Sequence, residues 1–223
     1  MNKLTGHFKS AVRDYLYLME RRYTEKSTLK LVSDRYALSG EERSMLFRGV
    51  APEEVVKKRR SKVVTQPLPG GHFTIDGYNV IRTVGSYLNG NLVFVAMDGF
   101  LRDASEIHKK AVKDDVVFRA VDLILATLKN FQPSGVMFYL DTPISKSGEL
   151  AHYINHALPH HTLFGNAETV HSPDYYLKKA ETGILCTSDS AIIDECHLPV
   201  LDLARQTLAA HFSPEFICLA DNI

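Results

Sequence analysis

The chain has 223 residues, 45% of them apolar, enough for one α/β domain with a small appendage and a real core. No apolar run is long enough to span a bilayer, residues 1–7 lack the apolar block of a secretory leader, and the three cysteines (Cys186, Cys196, Cys218) contain no C-x-x-C pair. These features argue against a membrane protein and a disulfide scaffold, and lead us to expect a cytoplasmic protein. The net charge of zero conceals an asymmetry: residues 1–70 carry 15 Lys and Arg against 8 Asp and Glu, and residues 71–223 carry 11 against 18. A basic segment ahead of an acidic domain suggests an anionic partner, or two halves that attract each other.

Residues 1–65 read as a basic helical module. Phe8, Val12, Tyr15, Leu16 and Met19 recur at helical spacing. Thr24 or Ser27 can cap a second helix carrying Leu29, Leu31, Val32 and Tyr36. Ser39-Gly40-Glu41-Glu42 has the form of a capping box opening a third helix, with Gly49 as its stop. Pro52 begins a fourth, which ends in Lys57-Lys58-Arg59-Arg60. Residues 66–71, with two prolines and two glycines, read as a linker.

From 72 to 223 strands and helices alternate, which implies an α/β fold on a mostly parallel sheet with helices on both faces. Strands are expected at 72–76, 92–97, 135–140, 161–164, 183–187 and 198–201. Helices are expected at 114–128, from 147 to about 156, from Ser172, from Ser190 and from Ala204.

Three of these strands end on an aspartate: Asp76, Asp141 and Asp189. In a parallel sheet such ends share one edge, where ligands bind, and carboxylates crowded there repel one another unless a divalent cation lies between them. Aspartates on short stems suit Mg²⁺ or Mn²⁺, and phosphodiester cleavage is the matching chemistry. A plain helix cap explains any one of them alone. Asp174, in the first turn of a helix, is a further candidate, and Asp98 or Asp103 can add a metal ligand. Asn79, Thr187 and Ser188 are candidate contacts to phosphate, as are Lys57, Lys58, Arg59 and Arg60. His152 and His156 share a helix face, but Tyr153 replaces the glutamate of the zinc-protease motif, so they read as solvent-facing. No phosphate-binding glycine loop is present.

Ile75-Asp76-Gly77-Tyr78-Asn79-Val80-Ile81 resembles the opening strand of the NYN branch of PIN-like nucleases, the YacP-type proteins in particular. Leu140-Asp141 and Cys186-Thr187-Ser188-Asp189-Ser190 resemble its later strand ends, and Asp174 is similar in place to an acidic residue opening the intervening helix. The resemblance covers about residues 72–205. It implies a three-layer α/β/α sandwich with a mostly parallel PIN-like sheet, an Mg²⁺ or Mn²⁺ site and cleavage of RNA. The segment 90–107 departs from the family pattern, so Asp98, Asp103 and Glu106 compete for its second acid. The helices resemble a small domain of unknown function that precedes such nucleases. The alternatives are a catalytically inactive PIN-like protein that binds nucleic acid or another protein, and a small-molecule phosphohydrolase. The oligomeric state is left open, a homodimer included.

Overall fold

The computed structural model describes residues 4–105 and 114–222. Glu106 lies outside the described residues. Four helices come first: α1 (Gly6–Glu20), α2 (Glu25–Arg35), α3 (Gly40–Gly49) and α4 (Glu53–Arg60). Thr5 caps α1 through Phe8, and at α3 Ser39 and Glu42 form the reciprocal capping box. Gly49 is the last residue of α3 rather than a stop beyond it. A Cβ there would meet Leu219 and Phe94 at 2.5 Å, so the glycine admits close packing.

The main sheet has five parallel strands in the order β5-β4-β1-β6-β7, made of β1 (His72–Asp76), β4 (Gly135–Asp141), β5 (Gly165–Val170), β6 (Ile184–Cys186) and β7 (Val200–Leu201). The expected strand at 161–164 is instead a turn followed by β5. Leu158 closes that turn by accepting the Leu163 amide, and Phe164 stands exposed. A second sheet holds β2 (Val93–Val95) between β3 (Leu101–Asp103) and β8 (Ile217–Cys218). The strand foreseen at 92–97 thus belongs to this small sheet, where the β2–β3 hairpin is antiparallel. The remaining helices are α5 (Gly77–Leu88), α6 (Asp114–Asn130), α7 (Ser147–His160), α8 (Pro173–Lys178), α9 (Ser190–Glu195) and α10 (Leu203–Phe212).

Strand alternation divides the core into two layers, one on each face of the sheet. Phe73, Ile75, Val136, Phe138, Leu140 and Cys186 face α5, α6, α7 and α10. Leu185 and Val200 face the other way, onto Leu177 of α8 and Ile192 and Ile193 of α9. The result is an α/β fold with helices on both faces. A third core joins Phe8, Val12, Tyr15, Leu46 and Val50 of the helical region to Phe94, Ala96 and Leu219 of the small sheet.

The stretch around 66–71 is tied down. The Val64 amide donates to Val200 O at 2.8 Å, which extends the β7 edge. The Gly70 amide donates to Gln132 O, and Gly71 O accepts from Ser134.

Gly77 explains one residue of the Asp76-Gly77 motif. A Cβ on it would stand 2.5 Å from Leu140 Cδ2 and 2.8 Å from Tyr139 O, because α5 starts directly against β4. Gly77→Ala is therefore expected to cost about 1–3 kcal/mol through overpacking against backbone, read as a lower urea midpoint at unchanged slope.

Candidate active edge of the main sheet

β1 is central, with β4 on one side and β6 on the other, so their carboxyl ends form the point where the chain direction of winding reverses. Register decides which side chains meet. Asp76 is paired with Tyr139, on the face opposite the Ile75 and Phe138 layer, and Asp141 lies two residues beyond Tyr139 with the same parity. α8 packs over that face, and Asp174 stands in its first turn. Asp189 follows β6 and caps α9, accepting from the Ala191 amide at 2.8 Å and the Ile192 amide at 3.4 Å.

The carboxylates act on one another. Burial pushes the Asp76 carboxyl up to about 7. The Thr187 hydroxyl opposes this, the Asp189 charge adds to it, the Asn79 backbone N–H opposes it, and the Asp174 charge adds again. Burial and then Asp174 hold Asp141 above the usual carboxylate range, with Arg82 in opposition. Burial and the Asp141 charge raise the Tyr78 phenol. Lys178, hydrogen-bonded to Glu195, is raised further by the charges of Asp174 and Asp189. Four aspartates from four chain segments thus share one electrostatic neighbourhood. Among the described residues, no group of three His, Cys, Asp or Glu side chains stands close enough to enclose a metal ion.

The turn after β6 is folded inward. Thr187 Oγ1 donates to Asp76 Oδ2 at 2.8 Å and accepts from the Asp189 amide at 3.0 Å. Asn79 Oδ1 accepts from both the Ser188 amide (2.9 Å) and the Ser188 hydroxyl (3.0 Å). Thr187 and Ser188 are buried. Asn79 Oδ1 and the hydroxyls of Thr187 and Ser188, candidate phosphate contacts in the sequence, are thus engaged within the protein, in the turn that closes over the end of β1.

Asp98 and Asp103 take other partners. Asp98 is 1% exposed and takes both prongs of Arg102, at 2.9 and 2.7 Å, plus Arg59 Nη1 at 3.1 Å. Asp103 lies on the small sheet, where it accepts from the Ser105 amide and faces Arg48 of α3 at 3.7 Å.

The basic end of α4 meets the domain that follows. Arg59 Nε and Nη2 bind Asp194 at 2.8 and 2.7 Å. Lys58 donates to Asp194 O, Arg60 to Met97 O, and Lys62 to Ile193 O and Cys196 O. Lys57 pairs with Glu53 on the surface. Through Arg59 the helical region is held onto acidic residues of the domain that follows, the attraction between halves that the charge asymmetry also allowed. His152 and His156 are exposed on α7.

Sequence reasoning passed over Tyr78, Arg82 and Lys178 beside the acids. It also passed over an aromatic step in which Tyr176 stacks on Tyr139 (centroids 4.9 Å apart) and meets Tyr175 edge-on. Tyr175 and Tyr176 directly follow Asp174 and remain 55% and 44% exposed. The Asp-Tyr-Tyr run was the available signal.

Residues 65–206 match the family model described as domain of unknown function DUF5616. The chain belongs to the DUF5616 family. Ahead of its DUF5616 portion, residues 7–62 match the model of a protein of unknown function, DUF434. A relative, uncharacterized protein MJ0935 of Methanocaldococcus jannaschii, is 30% identical over 203 residues, covering 90% of this chain and 96% of its own. No solved structure matches the chain. Asp76, Asp141, Asp174 and Asp189 all lie within the DUF5616 portion, and Arg59 within the DUF434 portion. No helix among the described residues is long and apolar enough to cross a membrane.

Proposed function

We propose that the carboxyl edge of the main sheet is the active edge of a metal-dependent ribonuclease of the PIN-like kind. The observation that carries this reading is the gathering of Asp76, Asp141, Asp174 and Asp189 at the switch point, with Asp76 and Asp141 both held above the ordinary carboxylate range. Uncompensated like charge at a ligand-binding edge is what a hard cation relieves. Mg²⁺ suits an edge without a ready three-residue cage, because it keeps several waters and takes one or two carboxylates directly; Mn²⁺ shares the preference for oxygen.

Asp76, Asp141, Asp174 and Asp189 are the residues that would hold such an ion. When bound, the ion supplies a water of lowered pKa and neutralises charge on the departing oxygen. Thr187 fixes the Asp76 carboxylate, and Asn79 fixes the turn that carries Asp189. Arg82 and Lys178 supply positive charge beside the acids for a phosphodiester. The exposed Tyr175 and Tyr176 rings offer a surface on which unstacked bases can lie, which favours single-stranded RNA over a small phosphate ester.

A second reading, a non-catalytic binding protein on the same fold, is favoured by the inward engagement of Lys58, Arg59 and Arg60 and of Thr187 and Ser188. End-labelled single-stranded RNA, incubated with the protein in Mg²⁺ or Mn²⁺, separates the two. The expected result is cleavage that EDTA abolishes and that Asp141→Asn lowers by roughly two orders of magnitude. Cleavage indifferent to chelation, or binding with no cleavage in either metal, defeats the nuclease reading.

A further inference from the structure

Arg102 lies on β3, is 5% exposed and divides its donors between two partners. Its Nη atoms fork onto Asp98, and its Nε donates to the carbonyl of Ser188 at 2.9 Å. Asp98 Oδ2 also accepts from Arg59 of α4, whose remaining donors grip Asp194. Anions and cations alternate along this row: Asp194, Arg59, Asp98, Arg102. At its far end stands the turn whose Ser188 amide and hydroxyl bind Asn79 and whose Thr187 binds Asp76. A continuous chain of hydrogen bonds thus runs from the amino-terminal helices to the candidate edge.

We propose that Arg102 is a positioning residue for the Thr187–Asp189 turn, and that Arg59 completes its charge balance, so that docking of the helical region sets the geometry of the edge. A buried ion pair is poor evidence of stability in itself, because desolvation offsets most of the attraction. A planar guanidinium that fixes a carboxylate and a carbonyl at once does specify position. Without Arg59, Asp98 carries one cation instead of two, and Arg102 loses the carboxylate orientation that aims its Nε. Lys62 is the internal contrast: it staples the same segment to Ile193 and Cys196 carbonyls without touching the turn.

The proposal rests on the proposed function only for what the turn serves. Its test needs neither cation nor RNA, so failure of one is distinguishable from failure of the other. Amide hydrogen exchange of the full chain is followed by NMR in wild type, Arg59→Gln, Arg102→Lys and Lys62→Gln. The Ser188 and Asp189 amides are expected to exchange about tenfold faster in the first two variants, the equivalent of one charge-assisted hydrogen bond. Amides in the middle of α6 should keep their rates, and Lys62→Gln should match wild type at the turn. Unchanged Ser188 exchange in Arg59→Gln, or equal acceleration in Lys62→Gln, overturns the proposal. If Arg59→Gln does not fold, Arg59→Lys is read by the same criterion, since a single ammonium cannot hold Asp98 and Asp194 at once as the guanidinium does.

Discussion

Asp76→Asn is expected to make the protein more stable at pH 8 and, under the proposed function, to abolish cleavage. The folded-state pKa of Asp76 is raised, from an ordinary 3.8 to about 7, chiefly by burial. The folded state therefore binds the proton more tightly than the unfolded one. The stability tied to that proton is fully present below about pH 4 and is lost as pH rises through about 7. At about 1.4 kcal/mol per unit, the full shift corresponds to a ceiling of ~4 kcal/mol.

Asparagine is neutral throughout and keeps an oxygen for the Thr187 hydroxyl, so it removes this loss. Urea unfolding at pH 5 and pH 8 reads the effect: wild type should weaken between the two, and the variant should weaken less. Some slope persists in both proteins, because Asp202, buried at the start of α10, is itself raised to about 6. Under the proposed function, saturating Mg²⁺ or Mn²⁺ at pH 8 restores wild type by roughly 3 kcal/mol at a hundredfold excess over the dissociation constant and does nothing for Asp76→Asn. An Asp76→Asn protein less stable than wild type at pH 8 contradicts the prediction.

Asp98→Ala should be the most damaging aspartate substitution. Truncation leaves the Arg102 guanidinium buried without its carboxylate and strips Arg59 of one partner. Breaking a buried pair from one side costs about 3–5 kcal/mol. In a chain of this size each kcal/mol moves the melting temperature by about 2–4 °C, so a drop on the order of 10 °C is expected by calorimetry. A metal ligand behaves oppositely: its loss relieves repulsion in the metal-free protein and abolishes stabilisation by the ion. The same pair of melts, with and without Mn²⁺, thus distinguishes a scaffold role for Asp98 from a ligand role.

The two roles were not separable by reading residues in order. Asp76 and Asp98 each follow an apolar run, and each precedes or adjoins a glycine. The strand before Asp76 pairs with β4 and β6, which carries its carboxylate to the shared edge. The run before Asp98 pairs with β3 and β8 instead, which places Asp98 among arginines. Pairing partners are long-range choices, and local periodicity records only that a strand forms. The same limit applies to the basic cluster. Lys57 to Arg60 look free for phosphate in the linear chain, and only the docking of α4 against α9 shows Arg59 and Lys58 turned onto Asp194.

Local chemistry alone decided the alternating α/β pattern, the capping box at Ser39 and Glu42, and the placement of aspartates at the ends of β1 and β4, because hydrophobic period and cap geometry act within a few residues. Tertiary contacts decided which strand lies beside which, and hence which acids repel one another, which hydroxyls turn inward and which cations are neutralised. Those outcomes depend on register and burial across separations of about a hundred residues, as between Asp76 and Thr187 or Arg59 and Asp194, where no local preference operates.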